Sequence, residues 1–199
     1  RALMEEPALE TILSCLGRLE EAGFAAYAVG GCVRDSLLGL VPHDYDLCTN
    51  ARPEDIRRVF SHHGLVLAGE KHGTVGVITE NGVVEITSFR TEGGYQDNRH
   101  PDWVEFVDRI EDDLARRDFT VNAMMQDVLT GEIVDYFGGA ADLQAGVLRH
   151  VEETTFVEDP LRVFRAAQFA ARFGFSVAEE TMTLCSRLDV SRLPGERVF

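Results

Sequence analysis

Two aspartates lie two residues apart in the stretch HDYDLCTN, which spans residues 43–50. In a β-strand the side chains of residues i and i+2 lie on the same face, so Asp44 and Asp46 would point the same way. Two carboxylates held that close repel each other, and a divalent cation is the usual means of offsetting the repulsion. A solvated turn is the alternative, because aspartate is common in turns. The surrounding sequence has to decide between them.

A pair of glycines, Gly30 and Gly31, separates a short apolar stretch from a helical pattern just upstream of the two aspartates. Glycines let a phosphate approach the backbone, and the N-terminus of a helix offers free N–H groups and the positive end of its dipole. Arg34 lies one turn into that helix and could reach the same phosphates, unless Asp35 is its structural partner. The arrangement predicts a phosphate site, although a glycine pair alone more often marks a tight turn.

A third carboxylate, Glu85, lies inside the otherwise apolar stretch VVEITSF. Burying an unpaired carboxylate is costly, so its place in a strand needs an explanation. If this strand pairs beside the strand of the two aspartates, Glu85 becomes a third ligand for the metal. The alternative is an exposed strand face that Glu85 shares with Thr87, since residues two apart lie on one side.

The elements that position these residues follow from hydrophobic periodicity and turn residues. Residues 3–22 show helical spacing and end at Gly23, and the pattern is helical again from Asp142 onward. Asn81-Gly82 signals a hairpin, and residues 91–102 read as a polar loop. The predicted strands include FAAYAVGG, HDYDLCT, GTVGVIT and VVEITSF, and the predicted helices include CVRDSLLGL, RPEDIRRVFSHHG and DPLRVFRAAQFAARFGF. The sequence therefore predicts an α+β fold, with a sheet domain at residues 1–140 and a helical domain at 141–199.

The composition argues against several classes of protein. No run of 18 apolar residues is present, so the sequence predicts no membrane-spanning helix. The four cysteines are scattered, which argues against zinc and disulfide frameworks and favours free thiols in a reducing cytoplasm. A net charge of −15 argues against a broad nucleic-acid-binding face. Of the 19 basic residues only Lys71 is a lysine, and the arginines suit bidentate contacts with phosphates and bases.

Four longer motifs give the aspartates and glycines a common context. They follow one another along the chain as VGGCVRDSLLGLVPHDYDLCTN, RRDFTVNAM, VDYFGGAADLQAG and EDPLRVFRAAQFAARFGF. Together they resemble the motifs of the tRNA nucleotidyltransferase and bacterial poly(A) polymerase family, of the class II CCA-adding type. The resemblance covers Tyr27–Phe175. Because the motifs are long, ordered and jointly present, little weight remains on the turn interpretation of the aspartates.

The resemblance implies a nucleotidyltransferase head, with a mixed or antiparallel sheet flanked by helices, followed by a helical neck. It implies two Mg²⁺ ions, replaceable by Mn²⁺, held by Asp44 and Asp46, with Glu85 as the third catalytic carboxylate. The implied reaction is template-independent transfer of nucleotides from CTP and ATP to the 3′ end of tRNA, as CCA addition or repair, or as CC or A addition alone. Two metals roughly 3.5–4 Å apart suit such an in-line displacement, because they stabilise the attacking and leaving oxygens. The family's body and tail would follow Phe199.

The resemblance also assigns the residues that bind the incoming nucleotide. The first two motifs would bind the phosphates and ribose of the nucleotide, through Gly30, Gly31, Arg34, Arg117, Asp118 and Asn122. The fourth motif would bind the base, through Asp159, Arg162 and Arg165. Asp159 and Arg162 are three residues apart and would share a helix face, where they could hydrogen-bond the edge of cytosine or adenine. An intrahelical salt bridge is the alternative for this pair. Gln168 departs from the family, which often has arginine at that position.

Other functions compete with tRNA 3′-end synthesis. Poly(A) addition to RNA is the nearest, but the stretch before Glu85, AGEKHGTVGVI, lacks the basic GRRF-like segment typical of bacterial poly(A) polymerases, which favours tRNA. A metal phosphohydrolase would use the dipeptide His43-Asp44, yet His62-His63 is the only other histidine cluster. A non-catalytic RNA-binding module would explain the arginines. It would not explain why the aspartates, the glycines and RRD occur together.

Overall fold

The computed structural model describes residues 2–42, 44–93, 103–157, 159 and 161–187. The α-helices in these ranges are α1 Ala2–Glu21, α2 Gly31–Leu37, α3 Pro53–Val59, α4 Ile110–Ala115, α5 Gly139–Ala145, α6 Glu153–Phe156, α7 Leu161–Phe173 and α8 Glu179–Arg187. The strands are β1 Ala26–Val29, β2 Asp46–Thr49, β3 Leu65–Val66, β4 Thr74–Thr79, β5 Gly82–Ser88, β6 Arg90–Gly93, β7 Trp103–Phe106, β8 Met125–Gln126, β9 Ile133–Val134, β10 Val147–Leu148 and β11 Ser176–Val177. Short 3₁₀ helices occur at Glu70–His72 and Thr120–Asn122.

Seven strands form one sheet in the order β3-β4-β5-β2-β1-β8-β9. β2 and β5 run parallel, with Leu47 beside Ile86, and the other neighbours in this sheet are antiparallel. The β4–β5 hairpin closes at Asn81-Gly82, where the turn signal predicts it. Gly82 has a φ of +114°, which favours glycine over residues with a Cβ. The predicted α+β fold, with a mixed sheet flanked by helices, is confirmed.

Alternation along the strands gives the sheet two different faces. On one face the apolar strand residues are covered by α1, and this core includes Leu16, Leu19, Ala28, Leu47 and Ile86. On the other face the strands β1, β2 and β8 contact α4, and this core includes Val29, Cys48, Phe89, Leu114 and Met125. A further core joins the second motif to α6, α7 and α8, and includes Phe119, Leu148, Phe156, Ala166 and Leu184. Asp46 and Glu85 lie on the α4 side of the sheet, because Asp46 shares a strand face with Cys48 and Glu85 neighbours Asp46.

The strand predicted over HDYDLCT is shorter in the structure. β2 begins only at Asp46, which pairs with Val29, the last residue of β1. The chain turns at Gly30, so Asp44 has no partner on β1, and His43 lies outside the described residues. The polar loop predicted at 91–102 is also shorter, since β6 extends to Gly93 and β7 begins at Trp103. No helix in the described ranges is long and apolar enough to cross a membrane.

Candidate active site

Asp46 and Glu85 lie side by side on neighbouring strands. The parallel register places Leu47 beside Ile86, so the residues that precede them are neighbours on the opposite face of the sheet. Leu47 and Ile86 are buried, whereas Asp46 and Glu85 are exposed. Both carboxylates line a cavity of about 180 Å³, and Thr87 lines it too. The strand of Glu85 therefore pairs beside the strand of Asp46, as the metal interpretation of Glu85 required.

Asp44 approaches the same pair from the segment that precedes β2. Asp44, Asp46 and Glu85 all line a groove of about 550 Å³, which shares the two strand carboxylates with the cavity. Carboxylate oxygens are the hard ligands that Mg²⁺ takes in proteins, so this donor set suits a divalent cation. Among the residues that the structure describes, no three histidine, cysteine or acidic side chains converge closely enough to hold a metal ion. The three carboxylates thus border an open groove and do not form a closed ligand cage.

Three arginines line the cavity together with the carboxylates Asp46 and Glu85. Arg90 begins β6, and Arg116 and Arg117 follow α4. The Nε atoms of all three arginines are buried and lack a hydrogen-bond partner within the described residues. Unpaired buried donors are costly, and a cavity that collects them suits an anionic ligand such as a phosphate. The sequence motifs predict Arg117 as a site residue but not Arg90 or Arg116.

Asp113 holds this arginine group together, although its side chain is only 1% exposed. Its Oδ1 accepts a hydrogen bond from Arg117 Nη2 at 3.1 Å, and its Oδ2 accepts one from the backbone N–H of Arg90 at 2.9 Å. Arg116 Nε lies 3.8 Å from Asp113 Oδ2. Burial lowers the pKa of Arg116, and the charge of Arg117 adds to the effect. Burial also acts on Arg117, but acidic neighbours led by Asp113 outweigh it and raise its pKa.

Asp113 was not predicted, because the acidic run that contains it reads as a solvated helix face. The signal that was available is its helical spacing, since Asp113 and Arg117 are four residues apart and so lie on one face. Its burial comes from the packing of α4 on the sheet, which the sequence alone does not show.

The two glycines of the first motif take the predicted place between strand and helix. Gly30 has a φ of +78°, and its N–H donates to the carbonyl oxygen of Met124 at 3.2 Å. A Cβ at Gly30 would lie 3.7 Å from Arg117 Nη1, which is ordinary contact, so the backbone angle is what requires glycine here. α2 begins at Gly31. The turn therefore brings the backbone of the first motif against the arginine of the second.

Arg34 is 9% exposed and has partners around its whole guanidinium. Nε donates to Asp35 Oδ1 at 3.0 Å, and Nη1 donates to Asn122 Oδ1 at 2.7 Å. The rings of Phe169 and Phe173 in α7 lie with their centroids 5.2 Å and 4.9 Å from Arg34 Cζ. Asp35 is thus the structural neighbour of Arg34, and Arg34 connects α2, the second motif and α7.

A chain of polar contacts joins the residues predicted from the second and fourth motifs. Asn122 Nδ2 donates to Asp118 Oδ1 at 3.3 Å. Arg165 Nη1 lies 3.9 Å from Asp118 Oδ2 and 3.7 Å from Asp159 Oδ2. Arg34 lies at the other end of this row of contacts, through its hydrogen bond to Asn122. The row therefore joins five of the nine residues predicted to bind the nucleotide: Arg34, Asn122, Asp118, Arg165 and Asp159.

Asp159 and Arg162 are both buried at the start of α7, with 4% and 5% exposure. Asp159 Oδ1 accepts the N–H of Leu161 at 3.0 Å, so Asp159 caps the helix. Arg162 Nη2 donates to the carbonyl oxygen of Arg116 at 3.0 Å, and Nη1 donates to that of Thr155. Glu158 and Pro160 of the motif lie outside the described residues. In this arrangement Arg162 ties α7 to the RRD segment, and its reading of a base stays a prediction.

The third motif supports the backbone of the second. Asp135 accepts the N–H groups of Gly139 and Ala140 at 2.8 and 3.0 Å, which fixes the start of α5. A Cβ at Gly139 would lie 2.2 Å from the carbonyl oxygen of Thr120, so only glycine lets α5 lie this close. Thr120 Oγ1 also donates to Asp142 Oδ2 at 2.7 Å. The segment that carries Asp118 and Asn122 is therefore held against α5.

Known proteins are similar to this chain in sequence and in fold. The family model of the poly A polymerase head domain matches residues 26–149. The CCA-adding enzyme of Latilactobacillus sakei subsp. sakei (strain 23K) is 48% identical over 177 residues, which cover 88% of this chain and 44% of that protein. The CCA-adding enzyme of Lactobacillus delbrueckii subsp. bulgaricus (strain ATCC 11842) is 45% identical over 192 residues, which cover 92% of this chain and 48% of that protein.

Two solved structures are similar over most of the chain. The Bacillus stearothermophilus CCA-adding enzyme in complex with CTP has a TM-score of 0.78 and 39% identity, and the match covers 89% of this chain and 42% of that one. The Thermotoga maritima CCA-adding enzyme complexed with tRNA_CCA has a TM-score of 0.78 and 29% identity, and the match covers 96% of this chain and 45% of that one.

This chain spans less than half the length of the curated relatives it matches. The matched family region runs from the first residue of β1 to the residue after β10, so it contains the sheet, the three carboxylates and the arginines of the cavity. It covers more than half of the chain. The resemblance stated from the motifs is confirmed, and the chain belongs to the family of the poly A polymerase head domain.

Proposed function

We propose that this chain is the catalytic head and the start of the neck of a CCA-adding enzyme, a nucleotidyltransferase that adds nucleotides from CTP and ATP to the 3′ end of tRNA. The cavity that holds Asp46 and Glu85 beside three arginines carries the proposal. Its carboxylates suit a cation and its arginines suit a triphosphate, and nucleotidyl transfer needs both. Similar solved structures are complexes with CTP, with ATP and with tRNA, which supports these partners.

The metal part of the proposal assigns two Mg²⁺ ions, replaceable by Mn²⁺, to Asp44, Asp46 and Glu85. Bound there, the ions would stabilise the attacking 3′-oxygen and the departing pyrophosphate. The backbone N–H of Gly31 at the start of α2 and the guanidinium of Arg117 are the protein groups that would receive the phosphates, since the N–H of Gly30 already donates to Met124. The buried unpaired Nε of Arg117 supports this role, because a phosphate oxygen would satisfy it.

The nucleotide part of the proposal assigns the ribose to Asp118 and the base to the start of α7. A carboxylate that accepts a hydrogen bond from the 2′-hydroxyl selects a ribonucleotide. Asp159 and Arg162 would read the amine and ring nitrogen of cytosine or adenine, with Arg162 exchanging its carbonyl partners for the base. Arg165, with its side chain 44% exposed beside Asp118 and Asp159, is the cation that solvent reaches in this group.

The domain boundaries and the cellular compartment are parts of the same proposal. We assign residues 1–140 to the head and 141–199 to the neck. All four cysteines are free in the structure, which supports a reducing cytoplasm.

The metal assignment is tested by charge removal at constant shape in the whole protein. Asp44→Asn, Asp46→Asn and Glu85→Gln should each reduce nucleotide incorporation by at least about a hundredfold, the scale at which single electrostatic groups act in catalysis. Raised Mn²⁺ should partly rescue Glu85→Gln. Asp112→Asn is the matched control, because Asp112 is an exposed acid on α4 outside the cavity. Near-normal turnover in Asp46→Asn would refute the metal site.

Poly(A) addition is the second candidate, since the matched family model is named for a poly(A) polymerase head. Extension assays with tRNA ending before CCA, after C or after CC, each with one nucleotide at a time, separate the activities. Stepwise C, C and A addition that then stops is the expected result. Repeated A addition on a generic RNA would favour the poly(A) reading, and addition of only C or only A would narrow the proposal to a partial enzyme.

A further inference from the structure

We infer that Phe169 and Phe173 are positioning residues for the ribose end of the nucleotide site, and that they act through Arg34. The inference rests on the proposed function, because it names a route by which the neck helix α7 controls that site. Both rings lie in the fourth motif, but the motif does not predict either of them as a site residue. Both contact the guanidinium from the helix that also carries Arg162 and Arg165.

The contact geometry makes the two rings part of the arginine's environment. Phe169 and Phe173 are four residues apart and so share one face of α7, with their centroids 4.6 Å from each other. Both centroids lie within 5.2 Å of Arg34 Cζ. A guanidinium within about 6 Å of a ring face is attracted by the ring quadrupole, and the attraction grows when water is excluded. Arg34 is only 9% exposed, so the rings replace its solvent.

Arg34 passes this restraint to Asp118 through one amide side chain. Arg34 Nη1 donates to Asn122 Oδ1 at 2.7 Å, which decides which end of the amide faces the arginine. The other end, Asn122 Nδ2, therefore donates to Asp118 Oδ1 at 3.3 Å. The same oxygen accepts the backbone N–H of Phe119 at 2.7 Å. Without Arg34 in place, the amide of Asn122 loses the contact that orients it, and Asp118 Oδ1 loses one of the two donors that it has among the described residues.

α7 thus reaches Asp118 by two routes. Near its first turns Arg165 lies 3.9 Å from Asp118 Oδ2, and near its end the two rings act on Asp118 Oδ1 through Arg34 and Asn122. Asp118 is the carboxylate proposed to accept the ribose 2′-hydroxyl. Loosening the ring contact should therefore reduce discrimination between ribonucleotides and deoxyribonucleotides, while the choice between CTP and ATP stays unchanged.

The test compares three leucine variants of the whole protein: Phe169→Leu, Phe173→Leu and Phe175→Leu. Leucine keeps apolar volume and removes the ring quadrupole. Phe175 is the matched control, because its ring packs on Phe169 and Phe173 at centroid distances of 5.8 and 5.9 Å and belongs to the same core as Phe169. The measurement is the ratio of kcat/KM for CTP over dCTP, together with the melting temperature.

Each of the first two variants should lower the CTP/dCTP ratio by about threefold to tenfold, the scale of one partly buried cation–π contact. Phe173→Tyr keeps the ring face and should retain the wild-type ratio. Phe175→Leu should lower the melting temperature without changing the ratio. If Phe175→Leu changes the ratio as much as Phe173→Leu, the rings act only by packing and the inference is wrong.

Arg34→Met separates this inference from the proposed function. It should lower the CTP/dCTP ratio at least as much as either ring variant, and Phe173→Leu added to it should have no further effect on the ratio. An unchanged ratio in Arg34→Met overturns the route through Arg34, while incorporation that still depends on Asp46 leaves the proposed function standing.

Discussion

Replacing Gly139 by alanine tests whether the close contact between α5 and the second motif positions the active site. The new Cβ would lie 2.2 Å from the carbonyl oxygen of Thr120, whereas real Cβ contacts are not found under 3.0 Å. The two backbones must therefore separate by at least the difference, 3.0 − 2.2 = 0.8 Å. Overpacking of this kind typically costs about 1–3 kcal/mol, and the upper end is expected here because the clash is with backbone. A misplacement near 1 Å can also reduce catalysis by about a hundredfold.

Gly138→Ala is the matched control, because the neighbouring glycine has the opposite properties. A Cβ at Gly138 would meet open space, but its φ of +78° strains any residue other than glycine. Gly138→Ala should cost about 1–2 kcal/mol of unfolding free energy through its backbone angle and leave kcat near wild type. Urea unfolding and single-turnover incorporation of CMP measure both effects in the two variants. If Gly139→Ala is no less stable and no less active than Gly138→Ala, α5 does not position the second motif.

Three further outcomes are expected. Asp159→Ala should reduce the preference for CTP and ATP over UTP and GTP by about one to two decades, the value of a hydrogen bond to a charged group, and a uniform fall in all four rates would contradict base reading. Asp113→Ala should lower the unfolding free energy by about 3–5 kcal/mol, because it leaves buried arginines without their carboxylate partner, whereas Asp112→Ala should have little effect. Burial lowers the pKa of His150 below its usual value of 6.5, so the folded protein favours the neutral ring. The unfolding free energy should therefore be at its full value above pH 6.5 and fall as the pH drops below it. His150→Gln should flatten this pH dependence, measured as the midpoint of urea unfolding.

Much of the fold could be predicted because local signals and tertiary structure agree. The spacing of Leu16 and Leu19 predicted α1, and Asn81-Gly82 predicted the hairpin of β4 and β5. Both features depend on residues close together in sequence. For Glu85 the sequence left two interpretations open, a third carboxylate beside the aspartates and a residue on an exposed strand face shared with Thr87, because it does not show which strands pair.

What could not be predicted depends on which elements pack together. Asp113 lies in an acidic run that is typical of a solvated helix, and its burial depends on α4 packing against the sheet. Arg90 belongs to none of the four motifs. Its place in the cavity depends on the hydrogen bond from its backbone N–H to Asp113. The early start predicted for β2 failed because β1 ends at Val29 and offers Asp44 no partner. Long-range partners of this kind leave no local pattern.

The parallel pairing of β2 and β5 has a consequence for when the candidate active site forms during folding. Parallel neighbours cannot be joined by a tight turn, and here residues 50–81 separate the two strands. Asp46 and Glu85 therefore become neighbours only after the chain between the two strands has closed on itself, an entropically costly step that makes such pairing slow. A partly synthesised or partly folded chain would lack the paired carboxylates and remain inert towards nucleotides. Catalytic competence would then report directly that the central sheet is complete.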